Sequence, residues 1–191
     1  MIRVRDLTKR YGDKRILRGL DLELERDGFL LVTGANGSGK TTLLRILAGL
    51  AAPSGGSVEV AVGREQLGFL AHEPLVYREL TALENLRLYA RLYRVRDAER
   101  VGMLLERFGL WDARDERVAA FSRGMQQRLA LCRVLLHEPS LLLLDEPYNA
   151  LDVDGAALLD RELAVSEATV VVAAHDAARI EPRATQRLAL A

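Results

Sequence analysis

One cysteine, Cys132, is all that 191 residues contain, so neither an internal disulfide nor a cysteine-rich zinc site can organise this chain. Net charge is missing as well: 27 Lys and Arg balance 27 Asp and Glu. No overall basic field gathers nucleic acid or anionic lipid, and any anion has to be bound locally. Long apolar runs are absent. The longest, Leu141–Leu144 and Val170–Ala174, fall far short of the ~20 residues that cross a bilayer. Behind Arg3, Arg5 and Asp6 no apolar stretch follows, so a secretory signal is not expected and the cytoplasm is. Lysine is scarce too, Lys9, Lys14 and Lys40 being the only ones among the 27 basic residues. A lysine at a motif position therefore stands out.

What is present is enough for a core. Hydrophobic residues make up 49% and charged residues 28%, ordinary for a globular chain, and the length suits one domain of roughly 100–200 residues. Met1–Leu7 and Ile16–Leu24 alternate as half-exposed strands, and Phe29–Thr33 is a compact apolar run ending at Gly34. Thr41–Leu50 carries leucines and isoleucine at helical spacing, with Ala51–Gly56 expected to break it. Ser57–Val62 and Leu67–Ala71 read as strands. From Thr81 the period turns helical: Thr81 with Glu84 fits a capping box before Ala82–Tyr93, and Ala98–Phe108 and Gly124–Leu136 are amphipathic. Leu141–Leu144, Gly155–Leu163 and Thr169–Ala174 then read as strand, helix and strand. Strands and helices interleaved at both ends predict an α/β fold with a largely parallel core. The helix-only middle predicts an inserted subdomain at about 75–136, in one chain with two lobes.

Gly34-Ala35-Asn36-Gly37-Ser38-Gly39-Lys40-Thr41, with Thr42 behind it, fits the phosphate-loop pattern G-x-x-x-x-G-K-[ST]. Glycines let successive backbone N–H groups point inward at phosphate oxygens, and the helix that follows aims its positive end at the same point. Lys40 can reach the β- and γ-phosphates of a nucleotide, and the Thr41 hydroxyl can complete the shell of a Mg²⁺ ion. The loop follows an apolar strand and opens a helix, as that chemistry demands. Leu141–Leu144 then delivers Asp145 and Glu146 at its carboxyl end, where ligands bind in open α/β sheets. Asp145 is expected to hold Mg²⁺, directly or through water, and Glu146 to polarise the water that attacks the γ-phosphate.

With these motifs in place the chain resembles the ATP-binding subunits of ABC transporters over nearly its whole length. Ser122-Arg123-Gly124-Met125-Gln126-Gln127-Arg128, ahead of Asp145 and opening a helix, looks like the signature motif that separates this family from other phosphate-loop ATPases. It departs from the common form at Phe121, Arg123 and Met125 but keeps Ser122 and Gly124, whose hydroxyl, backbone N–H and helix end can face a γ-phosphate. Tyr11 resembles the aromatic on which the family stacks adenine. Asn149-Ala150-Leu151-Asp152 resembles the loop that links two nucleotide sites, with Asp152 also suited to cap the next helix. His175 resembles the switch histidine at the γ-phosphate. Where the family usually has glutamine this chain has His72, a donor or metal ligand whose residue type changes protonation near neutral pH.

His72-Glu73-Pro74, Glu79–Leu86 and Asp152-Val153-Asp154-Gly155 are similar to the haem-exporter ATPases of bacterial cytochrome c maturation, which are also short. Drug- and lipid-exporter ATPases share much of this pattern, particularly the Ser-Arg-Gly-Met-Gln signature. The resemblance implies a single ABC-type nucleotide-binding domain over 1–191: a phosphate-loop ATPase core with a mostly parallel sheet, an N-terminal antiparallel β part and the inserted helical subdomain. It also implies ATP and Mg²⁺ as ligands and a head-to-tail homodimer on ATP binding. A separate transmembrane permease subunit would receive the motion near His72 to Asn85 and hold the chain at the inner face of the cell membrane, with no nucleic acid bound. A small-molecule kinase is the rival from another class, but the signature is foreign to it and no acceptor site is evident. A non-transport ABC protein acting on DNA or the ribosome commonly carries two ATPase domains or long coiled-coil insertions. A nonenzymatic nucleotide sensor has no use for both Glu146 and His175.

Overall fold

A computed structural model describes residues 1–97 and 99–190. They group into two compact units. One comprises Met1–His72, Ser140–Pro147 and the chain from Glu167 onward; the other comprises Glu73–Pro139 and Tyr148–Ser166. The fold is α/β, with a mostly parallel sheet, an antiparallel sheet and helices.

In the first unit β1 (Ile2–Tyr11) and β2 (Lys14–Leu24) form a hairpin. β4 (Gly55–Val60) pairs with the other edge of β1, giving an antiparallel sheet of order β2-β1-β4. The hairpin is longer than the alternation predicts, and its register shifts explain why. Bulges between Val4 and Leu7 and between Lys9 and Arg10 break the two-residue period, so the pattern fades at Leu7 while the strand runs on to Tyr11. The second sheet has five parallel strands in the order β5-β6-β7-β3-β8: β3 (Phe29–Gly34), β5 (Leu67–Leu70), β6 (Leu141–Asp145), β7 (Thr169–Ala173) and β8 (Gln186–Leu190). Every residue of β6 and β7 is buried, as expected of parallel strands covered on both faces. The sequence pattern does not predict β8, since it opens with Gln186 and Arg187 and only Leu188–Leu190 are apolar; it completes the edge beside β3.

α1 (Lys40–Leu47) follows β3 and buries Leu43, Leu44, Ile46 and Leu47 in the core. It stops earlier than Thr41–Leu50 predicts. Gly49 takes φ 68°, its N–H donates to Ile46 O at 3.0 Å and the Leu50 N–H donates to Arg45 O at 2.8 Å. That pair of bonds is a Schellman cap, so Gly49 ends the helix before the Pro53 region is reached.

The second unit is helical: α2 (Ala82–Leu92), α3 (Arg100–Arg107), α4 (Arg123–Leu135) and α5 (Val153–Val165). The capping box at α2 is present as predicted. Thr81 Oγ1 accepts from Glu84 N–H at 3.1 Å, and Glu84 Oε2 accepts from Thr81 N–H at 2.8 Å. The expected start of α3 at Ala98 lies outside the described residues. Inside the unit, Asn85 is 1% exposed and ties down the loop before α2. Its Oδ1 accepts from Tyr77 N–H at 2.8 Å, and its Nδ2 donates to Tyr77 O and Thr81 O at 2.9 Å each. Among the described residues no helix is long and apolar enough to cross a membrane.

Candidate functional site

The carboxyl ends of β3 and β6 carry the predicted motifs, and the strand order brings them together. Gly34 ends β3 at φ 151°, where a Cβ would strike Ser38 Oγ and come within 2.5 Å of Leu190 O. Only glycine lets the chain turn there. Gly39 caps α1 at φ 106° and offers no side-chain cap, which leaves the first N–H groups of α1 free to meet an anion.

Lys40 is 6% exposed. Its Nζ donates to Gly34 O at 2.8 Å and Ala35 O at 3.4 Å, and it lies 3.8 Å from Glu146 Oε1. Asp145, 1% exposed, accepts from Thr41 Oγ1 at 2.7 Å through Oδ2, while its buried Oδ1 has no partner. Ser38 Oγ is likewise buried and unpartnered. An orphaned carboxylate oxygen beside a threonine hydroxyl is a donor set for a hard cation. Mg²⁺ is commonly held by one or two such protein oxygens completed by phosphate and water. Among the described residues no three His, Cys, Asp or Glu side chains cluster as a metal cage.

Glu146 takes φ 51°, a left-handed conformation uncommon for a side-chain-bearing residue. Its N–H donates to Ala173 O at 2.8 Å and its Oε2 accepts from the His175 N–H at 3.1 Å. The carboxylate is thus aimed between Lys40 and the end of β7. His175, expected at the γ-phosphate, brings its backbone N–H to Glu146, and its side chain is exposed.

The loop and the two carboxylates open into a cavity of about 450 Å³ lined by Asn36, Lys40, Thr41, Thr42, Asp145 and Glu146, with His72 also facing it. Lys14 and Ile16 line it too, and no sequence motif marks either. The signal was available for Lys14, one of three lysines. Ile16 sits so close to the loop that a Cβ on Gly39 would lie 2.9 Å from Ile16 Cγ2. Tyr11 lies outside the cavity wall; it is 51% exposed, is register partner to Lys14 and has Lys9 Nζ 4.8 Å from its ring centroid.

Ser122, Gly124 and Asp152 belong to the helical unit. Ser122 caps α4, its Oγ accepting from Met125 N–H at 3.2 Å. A Cβ on Gly124 would lie 2.9 Å from Ala150 O, so the signature segment packs directly on the Asn149–Asp152 segment. Asp152 caps α5 through Oδ1, which accepts from Gly155 N–H at 2.8 Å.

A parallel sheet with a phosphate loop at one strand end and paired acids at another defines a nucleotide-binding ATPase fold. The family pattern described as ABC transporter matches residues 17–149, and the chain belongs to that family as an ATP-binding protein. It is 36% identical over 184 residues to the uncharacterized ABC transporter ATP-binding protein YdbJ of Bacillus subtilis, covering 90% of this chain and 60% of YdbJ. It is 36% identical over 203 residues to the cytochrome c biogenesis ATP-binding export protein CcmA of Salmonella typhi, covering 100% and 97%. The daunorubicin resistance ATP-binding protein DrrA3 of Streptomyces coeruleorubidus shares 42% over 168 residues, covering 82% and 53%. The chain therefore spans little more than half the length of some relatives and nearly all of others. An ATP-binding subunit of an ABC transporter superposes with a TM-score of 0.87 at 27% identity, over 99% of this chain and 85% of that one. A dimeric ATP-binding cassette bound to ADP and Pi superposes with a TM-score of 0.82 at 27% identity, over 94% and 90%.

Proposed function

We propose that this chain hydrolyses ATP to drive export through a separate membrane subunit, and that its system is the haem exporter of bacterial cytochrome c biogenesis. Mutual coverage supports the narrower reading: the alignment takes in the whole of this chain and 97% of CcmA, against 53% of DrrA3. The 42% identity to DrrA3 over 82% of this chain supports a drug exporter as the second reading.

In this mechanism the two units work as one nucleotide-binding domain. The segment Gly34–Thr42 cradles the phosphates with its N–H groups, and Lys40 exchanges the Gly34 and Ala35 carbonyls for β- and γ-phosphate oxygens. Thr41 and Asp145 hold Mg²⁺, with His72 beside them; when bound, the ion neutralises phosphate charge and polarises the γ-phosphoryl group. Glu146 accepts the proton of the attacking water, His175 meets the γ-phosphate, and Tyr11 stacks on adenine. A second copy, arranged head to tail, brings Ser122 and Gly124 at the N-terminus of its α4 to the same γ-phosphate, with Asp152 in the link between the two nucleotides. The segment from His72 to Asn85 hands the closing motion to the membrane subunit, through which the chain is held at the inner face of the cell membrane.

The test is a pull-down from native membranes with tagged Glu146→Gln, ATP and Mg²⁺, which should hold the closed dimer on its partner. Recovery of cytochrome c maturation membrane proteins is expected. Recovery of a different permease would remove the haem assignment and keep the transport role. ATP binding with no membrane protein recovered would remove the transport role.

A further inference from the structure

Two of the three lysines are already engaged. Lys9 Nζ donates to Ala52 O at 2.7 Å and stands over the Tyr11 ring. Lys40 Nζ is held by the Gly34 and Ala35 carbonyls and lies beside Glu146. Lys14 is exposed and forms no ion pair among the described residues, yet it lines the phosphate-loop cavity.

The β1–β2 hairpin delivers it there. Gly12 turns the chain at φ 56°, and Lys14 returns as the register partner of Tyr11. Ile16, two residues further on, falls on the same face of β2 as Lys14, and both line the cavity. Ile16 and Leu17 crowd the loop so closely that a Cβ on Gly39 would lie 2.9 Å from a methyl of each. That packing holds the start of β2 against the phosphate loop.

Charge gives an independent reason for a second cation. The Lys, Asp and Glu members of the cavity lining are Lys14, Lys40, Asp145 and Glu146. Without Lys14 the two acids outweigh Lys40, and a net negative cavity repels a polyphosphate. Lys14 restores the balance. It pairs with neither acid, whereas Lys40 lies 3.8 Å from Glu146 and Thr41 bonds Asp145. The ends of the cavity are thus distinct: Lys40, Thr41 and the acids mark the γ-phosphate end, and Lys14 stands with Tyr11 on the nucleoside side.

We propose, resting on the nucleotide reading above, that Lys14 is a second phosphate-binding cation that takes the α-phosphate while Lys40 takes the β- and γ-phosphates. An ammonium on a flexible four-carbon stem, with three rotatable donors, can follow a phosphate as a point charge. The α-phosphate is common to ATP and ADP, so Lys14 strengthens the binding of both alike. Such uniform binding serves affinity and does not select the transition state.

The test is calorimetric titration of the full chain with ATP and with ADP, each with Mg²⁺, at 0.1 M and 1 M salt. Lys14→Met should weaken both nucleotides about tenfold at 0.1 M salt, the scale of a lost charged hydrogen bond. The loss should shrink to under about threefold at 1 M salt, where the Debye length falls to about 3 Å. Lys14→Arg should recover most of the affinity. Without nucleotide, Lys14→Met should melt within about 2 °C of the wild type, as expected of an exposed position. Wild-type affinity for both nucleotides in Lys14→Met would overturn the proposal and leave the nucleotide reading standing. Weakened ATP with unchanged ADP would move Lys14 to the γ-phosphate and overturn it. An equal loss at both salt concentrations would assign the effect to packing and overturn it too. A wild-type chain that binds neither nucleotide would remove the nucleotide reading itself, and the role of Lys14 with it.

Discussion

Lys40 and Glu146 face each other across 3.8 Å, and most of the proposed chemistry turns on that pair. Lys40→Ala removes the side-chain cation that donates to the loop carbonyls of Gly34 and Ala35. It should abolish nucleotide binding in an equilibrium titration; retained tight ATP affinity would remove the phosphate-loop assignment. Glu146→Gln keeps an oxygen for the His175 N–H but loses the base. Phosphate release should slow by roughly 10²–10⁴ while binding persists, and an unchanged rate would place the base elsewhere. The motif residues were legible because the phosphate loop is contiguous and its geometry depends on neighbours a few residues away. Lys14 and Ile16 were not, because they arrive on β2 and only the packing of that hairpin against the loop brings them to the cavity. The contact of the His175 backbone N–H with Glu146 is one that no side-chain motif reveals.

At the level of elements, caps and buried strands hold the site residues in place. Thr81→Ala removes one half of the α2 capping box and should lower unfolding free energy by about 1 kcal/mol, read by chemical denaturation. Leu143→Ala opens a cavity in β6, where every residue is buried. A loss of about 2–5 kcal/mol is expected, with nucleotide affinity falling as well because Asp145 ends the same strand. Tyr89, whose OH donates to Leu75 O at 2.9 Å, has its phenol pKa raised by burial. The neutral phenol is the form the fold favours, so its contribution is complete below the ordinary tyrosine value of about 10 and is lost as pH rises through the raised one. Tyr89→Phe should therefore flatten the alkaline limb of a stability-against-pH curve. Helix periods and the Thr81–Glu84 spacing were readable because both repeat within a turn or two. α1 ends before the apolar spacing does, since a glycine cap forms whenever the next carbonyls are in reach, without waiting for proline.

Taken as a whole molecule, each unit has its own buried interior, and the signature residues Ser122 and Gly124 belong to the helical one. If a second copy supplies them, Glu146→Gln with ATP and Mg²⁺ should sediment as a dimer and Ser122→Arg should stay monomeric under the same conditions; a dimer in both would remove Ser122 from the interface. Short-range pattern sufficed for the class of fold, the phosphate loop, the paired acids and most helices, because φ/ψ preferences, caps and burial periodicity act over a few residues. It did not contain β8 or the bulged extension of β1, and it joined Thr41 and Asp145 only as expected holders of one Mg²⁺, not as the hydrogen-bonded pair that spans 104 positions. β8 and the Thr41–Asp145 bond follow from the order β5-β6-β7-β3-β8, and the bulges from the pairing of β1 with β2. Alternation and apolar runs say which face of a strand is buried, whereas which strand lies beside it is settled by packing the whole chain at once.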